Sequence, residues 1–198
     1  MATYASIKYD MDLASSATGA GAMILLATET ASSSATISFT SGIDSTYKEY
    51  IFKFIDIHPA SNNEKFSFQV DTGTNTNYNI TCTSATFRAY HKEDGTEAGL
   101  GYQTGQDQAQ GTSFQEISFS LGSDNDQACS GFLHIYEPSS ATYVKHFYSR
   151  TMVSHGDDEA GDWYAAGYFN TTTALTRVQF KMSSGNIDSG TIKMYGVS

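Results

Sequence analysis

Apolar and polar residues alternate with period 2 along this chain. No stretch longer than about ten residues carries the 3.6-residue apolar period of an amphipathic helix. Thr36-Ile37-Ser38-Phe39-Thr40 alternates cleanly, and so does Phe66-Ser67-Phe68-Gln69-Val70-Asp71. Glu116-Ile117-Ser118-Phe119-Ser120-Leu121 puts Ile117, Phe119 and Leu121 on one face. Arg177-Val178-Gln179-Phe180-Lys181-Met182 keeps its bases on the other. Each run predicts an antiparallel strand with one face on a core and one in water. Residues 23–27, 50–57 (YIFKFIDI), 132–136 (FLHIY) and 143–152 are apolar on both faces, which suits central strands or strands whose outer face meets a partner. With residues 163–169 and 191–195 the tally is about ten strands, separated by Gly, Asn, Asp and Ser turns. The expectation is an all-β antiparallel sandwich, a jelly roll with extra strands at its edges. Residues 23–198 form its single domain, and residues 1–22 form an N-terminal arm, either loose or an anchor on a neighbouring subunit.

Composition narrows the function. The chain has 198 residues, 11 Lys+Arg against 21 Asp+Glu, and a net charge of −10. That balance argues against nucleic acid, because phosphate neutralisation needs clustered bases. It argues equally against an anionic membrane surface. The longest apolar stretch, residues 20–27, has eight residues where a span needs about 20. Ser (25) and Thr (23) dominate, yet 13% of residues are aromatic, which excludes a disordered acidic chain. Residues 93–144 hold eight acids and no Lys or Arg, and residues 94–112, rich in Gly, Gln and Thr, read as the longest loop. The two cysteines, Cys82 and Cys129, read as free buried thiols. The sequons at Asn79 and Asn170 read as coincidence in a chain so rich in Thr.

No catalytic template is present: no G-x-S-x-G, Walker A, H-E-x-x-H or C-x-x-C. The five histidines are dispersed, with His134 and His146 inside predicted strands as interior or interface residues. The expectation is a protein that is not an enzyme and needs no cofactor. One metal site is conceivable. Asp157, Asp158, Glu159 and Asp162 follow His155 closely enough to hold Ca²⁺ in a loop, although the run lacks the glycine and glutamate of an EF-hand. The competing reading is a solvated acidic turn.

Thirteen Tyr and twelve Phe are more than one core of this size requires. Tyr47, Tyr50, Tyr102, Trp163, Tyr164 and Tyr168 are the candidates for subunit contact or for stacking on a glycan, since such rings give rigid amphipathic contact area.

Three blocks carry a resemblance. They are Thr46-Tyr47-Lys48-Glu49-Tyr50 leading to Ile57-His58-Pro59-Ala60, then Val144-Lys145-His146-Phe147, then residues 167–196, ending in Gly190-Thr191-Ile192-Lys193-Met194-Tyr195-Gly196. Together they resemble a family of virion proteins from tailed bacteriophages of marine bacteria and cyanobacteria. The resemblance implies a structural protein on a β-sandwich, a tail-fibre component or a capsid decoration, and supplies no catalytic residues. The expected protein is a surface subunit of the virion, a homotrimer docked on other virion proteins by its arm. The alternative is a carbohydrate-binding module that recognises host surface glycans.

Overall fold

The computed structural model describes residues 22–198, and the described chain is all-β. The expected arm of residues 1–22 lies outside the described residues except for Ala22. Thirteen strands follow in order: β1 (Met23–Thr30), β2 (Ile37–Phe39), β3 (Glu49–Pro59), β4 (Phe66–Asp71), β5 (Cys82–Lys92), β6 (Ala98–Tyr102), β7 (Ala109–Gly111), β8 (Gln115–Glu116), β9 (Cys129–Tyr136), β10 (Lys145–His155), β11 (Glu159–Phe169), β12 (Arg177–Met182) and β13 (Ile187–Val197). They form two antiparallel sheets. The larger has nine strands in the order β1-β13-β3-β9-β10-β11-β5-β6, with β7 also on β5. The smaller runs β2-β12-β4-β8. Strands β1 to β4 alternate between the sheets as in a jelly roll: β1 pairs β13 while β2 pairs β12, and β3 pairs β9 while β4 pairs β8, whereas β5–β7 and β9–β11 all lie in the larger sheet.

Alternation builds the core directly. Phe52 and Phe54 of β3, Phe66 and Phe68 of β4, and Phe180 of β12 point between the sheets and meet ring to ring at 5.1–6.3 Å. Cys82 and Cys129 are free and buried, as read from the sequence. The bulge where β3 and β13 lose register needs glycine: Gly190 has φ +119°, and a Cβ there would lie 2.6 Å from the Asp56 carbonyl.

Three expectations change. Residues 66–71 bury both faces, because residues 72–81 and the segment before β8 roof the smaller sheet. The polar residues of β4 satisfy that roof: Gln69 Nε2 donates to the carbonyls of Ile80 (3.1 Å) and Ser113 (2.9 Å), and Asp71 accepts from Gly73 N–H (2.6 Å). Residues 116–121 are not one strand. β8 stops at Glu116, because Ser118 turns inward and its hydroxyl accepts from Phe66 N–H at 2.8 Å. The expected long loop 94–112 holds two strands, β6 and β7, which extend the large sheet beyond β5.

Candidate functional site: the outer face of the large sheet

The register defines what the large sheet shows to solvent. One row runs Thr28, Lys193, Lys53, Phe132, Arg150, Tyr164, Phe87 and Tyr102 from β1 to β6. The next holds Leu25, Tyr195, Ile51, His134, Tyr148 and Ala166, with Ile51 itself covered by its neighbours. Exposed apolar side chains concentrate here: Met23, Leu25, Ile55, Phe87, Leu100, Tyr102, Tyr148 and Met152 all point outward from this sheet, Leu100 with 75% of its surface free. Single exposed apolar residues are ordinary, whereas a contiguous field across one sheet marks an interaction surface.

The aromatic rings on this face stack on one another. His134 lies against Tyr148 at 4.6 Å and 22°, and Tyr136 stands parallel to Tyr148 at 6.3 Å and 11°. Phe87 and Tyr164 stack at 4.6 Å and 8°. Plates packed this way offer edges outward and keep their faces to each other. A sugar needs an open ring face, so this packing favours a protein surface as the partner. Charges tie the field together. Arg150 holds Asp162 and lies 5.0 Å from the Tyr164 ring centre, and His134 Nδ1 meets the Glu49 carboxylate. Burial, reinforced by Glu49, pushes the Tyr136 hydroxyl up to about 12. The Tyr102 hydroxyl donates to Asp107 at 2.6 Å, a bond that raises its pKa.

At one end small residues open a cleft of about 720 Å³, floored by Ala89, Ser130, Ala160 and Gly161 beside Met152, with Asp56, Glu93, Asp126 and Asp162 around it. This is where the acidic reading of residues 93–144 acquires a place. Glu93 and Asp126 belong to that run, and Asp56 and Asp162 join them from β3 and β11.

The six aromatic candidates divide. Tyr102, Tyr164 and Tyr168 are on the outer face, Tyr102 and Tyr164 in one row with Phe87 between them. Tyr168 is two rows away, opposite His146. Tyr47 is half-buried and covers Gly196, where a Cβ would lie 2.3 Å from its ring. Tyr50 and Trp163 correct the sequence reading. Tyr50 is fully buried, its hydroxyl accepting from Asp44 N–H at 2.9 Å, because it stands on the inward side of β3. Trp163 points inward from β11 and stacks on Phe119 at 5.8 Å and 14°. Neither reaches a partner. Phe87, Phe132 and Tyr148 are not singled out by the sequence, whereas His134, read there as an interior or interface histidine, stands on this face; the two-faced runs FLHIY and 143–152 carry the signal.

The calcium reading is also corrected. Asp157 and Asp158 occupy the β10–β11 turn, whereas Glu159 and Asp162 are an odd number of positions apart on β11 and face opposite sides of the sheet. Glu159 is buried against Arg88 at 2.9 Å, and Asp162 is held by Arg150. The four carboxylates therefore do not converge, and no group of three or more His, Cys, Asp or Glu suited to a metal exists among the described residues.

No family model matches the chain, and no curated protein sequence matches it. Among solved structures it is similar to CB05 of A. japonicus, at 10% identity and TM-score 0.25, covering 90% of this chain and 27% of that one. It is similar to the VP2 subviral particle of infectious bursal disease virus at 12% identity and TM-score 0.17, covering 87% and 41%. An aerolysin-like protein of Bombina maxima follows at 10% identity and TM-score 0.13, covering 84% and 91%. The chain thus spans less than half the length of the first two. At these scores neither fold nor activity carries over from them.

Proposed function

We propose that this chain is a structural subunit of a tailed-phage virion, displayed on the particle surface and acting by assembly and not by catalysis. The observation that carries the assembly role is the contiguous aromatic and apolar outer face of the nine-stranded sheet, whose stacked rings are suited to another protein surface. The phage assignment rests on the sequence blocks that resemble the phage family. Those blocks occupy β3, the start of β10, the end of β11, β12 and β13, so they supply both core and outer face. Covering the edges β1 and β6, which end the larger sheet among the described residues, within a particle also removes an aggregation hazard. Residues 1–22 serve as the tether to the underlying virion protein.

The test is direct. Mass spectrometry of purified particles should find the chain, and its copy number distinguishes a capsid decoration, present on every capsomer, from a tail appendage present in a few copies. Deleting residues 1–22 should leave the folded domain intact and abolish incorporation. A chain absent from purified particles overturns the virion role, and normal incorporation of the truncated chain overturns the tether.

A further inference from the structure

We propose that residues 5–13 of one copy of this chain add as a strand to the open edge of β1 in a neighbouring copy, joining copies head to tail. This rests on the assembly role above, and it names a sibling copy as the virion protein that the tether holds.

The edge itself calls for a cover. β1 ends the larger sheet among the described residues, and none of its eight residues is buried. Its first five, Met23-Ile24-Leu25-Leu26-Ala27, are apolar, and the strand has no proline or lysine that would turn another strand away. Leu25 is exposed on the outer face of the sheet with its neighbours there. Ile24 is different. It lies in the inward row of Gly196 and Tyr50, where Tyr50 is fully buried, yet Ile24 is 38% exposed. The space behind β1 is therefore unfilled at this edge of the sandwich. A strand that pairs with β1 and turns apolar side chains inward fills it.

The sequence supplies such a strand. In Ala5-Ser6-Ile7-Lys8-Tyr9-Asp10-Met11-Asp12-Leu13 every odd position carries an apolar or aromatic side chain and every even one a polar side chain, without an exception. Three of the four alternating runs noted above are the strands β2, β4 and β12. At about 3.4 Å per residue, residues 5–13 extend about 30 Å and β1 about 27 Å, so the two lengths match. Beside β1 the apolar side stands next to Ile24, and Lys8, Asp10 and Asp12 stay in water. The connection decides which copy receives the strand. Residues 14–22 are all Ala, Ser, Thr or Gly. A nine-residue connection of small residues typically reaches about 15–18 Å. Folding back on its own β1 would span one strand spacing of about 5 Å, a step that hairpins make with roughly two to five residues. The longer reach suits the edge of the next copy. Each copy then gives one strand and receives one, a contact that closes into a ring or extends along an axis. The trimer expected from the sequence is one such ring.

Prolines placed in residues 5–13 of the whole 198-residue chain test this. Ile7→Pro/Met11→Pro removes two ladder donors and lies outside the β-sandwich, so unchanged Trp163 fluorescence should show that the variant is folded. The wild type should scatter light as a multiple of its 21.5 kDa mass, and the variant as a single copy. Hydrogen exchange in residues 23–30 should be slow in the wild-type assembly and faster on the order of tenfold or more in the variant, with β9 and β10 unchanged. A synthetic peptide of residues 3–15, added in excess to the variant, should restore slow exchange in residues 23–30, and the same peptide with both prolines should not. A monomeric wild type overturns the proposal; slow exchange of β1 in that monomer would show that each chain covers its own edge. An assembly in which residues 23–30 exchange alike in wild type and variant puts the contact elsewhere and also overturns it. Those results leave the virion role intact, since that role is read from particle composition. A chain missing from purified particles overturns the virion role and leaves the strand exchange standing.

Discussion

Arg150 grips Asp162 diagonally across the β10–β11 ladder, Nε to Oδ1 at 2.9 Å and Nη2 to Oδ2 at 2.7 Å. This two-pronged contact removes the carboxylate that a calcium site at the hairpin would most need, and a single bond from Arg88 Nη1 engages Glu159 on the other side of the sheet. Millimolar Ca²⁺ should therefore leave the melting temperature unchanged, and so should EDTA, because a cation that does not prefer the folded state cannot stabilise it. A calcium-dependent rise in melting temperature that disappears in Asp162→Asn would overturn this reading.

Trp163, the single tryptophan, is 2% exposed and reports on the interior without interference. Its fluorescence should resist iodide quenching and should not respond to any host oligosaccharide. Trp163→Ala should cost about 3–5 kcal/mol of stability, the range for truncating a large buried ring. Efficient iodide quenching in the native protein would show the side chain to be outside.

The glycan reading has its own measurement. Phe87 and Tyr164 stack on each other, as do His134 and Tyr148, so an array of host surface glycans should be silent with or without EDTA. Specific binding of one glycan, lost in Tyr102→Ala, would restore the carbohydrate reading at the outer face.

These placements show where the sequence is informative and where it stops. Alternation in Arg177-Val178-Gln179-Phe180-Lys181-Met182 marks the core face, since polar neighbours contrast with apolar ones and the strand forms as expected. In FLHIY both faces are apolar, the contrast vanishes, and only strand order tells which side is solvent. The run therefore reads equally as a central strand or as one whose outer face meets a partner, and nothing local decides between them. Composition counts rings without orienting them, so Tyr50 and Trp163 read as contact residues although both point inward. Residues 116–121 alternate well, but Ser118 is captured by Phe66 N–H, and that tertiary bond outweighs the local pattern. Strand β6 has glycine at two of its five positions, so local propensity does not mark it, and the adjacent β5, with which it pairs from His91–Ala98 to Phe87–Tyr102, makes it a strand.

His155 makes stability depend on pH. It sits beside Phe119, almost wholly buried, and its Nδ1 accepts from Asp157 N–H at 3.1 Å. Burial holds its pKa below 6.5, outweighing the nearby Glu159 and Asp157 carboxylates, which act to raise it. As pH falls below 6.5 the unfolded chain takes up the proton first, so stability is full above that value and is lost below it. Urea midpoints at pH 7.5 and 5.5 should differ in the wild type and differ less in His155→Phe. Equal losses in both proteins would assign the acid sensitivity to other groups.

Lys145 is fully buried without a carboxylate partner among the described residues, and burial lowers its pKa. Its ammonium instead donates to the carbonyls of Ser140 (2.6 Å), Tyr143 (2.9 Å) and Thr171 (3.3 Å). One side chain thus joins the loop before β10 to the segment after β11, where Leu175 N–H also donates to the Pro138 carbonyl at 2.9 Å. Methionine has nearly the same length and no donor. Lys145→Met should leave three carbonyls unsatisfied and cost about 2–3 kcal/mol, with hydrogen exchange rising first at Leu175 and in residues 138–144. An exchange increase spread evenly over the sheets would show that the lysine supports the fold generally and does not fasten these two segments together.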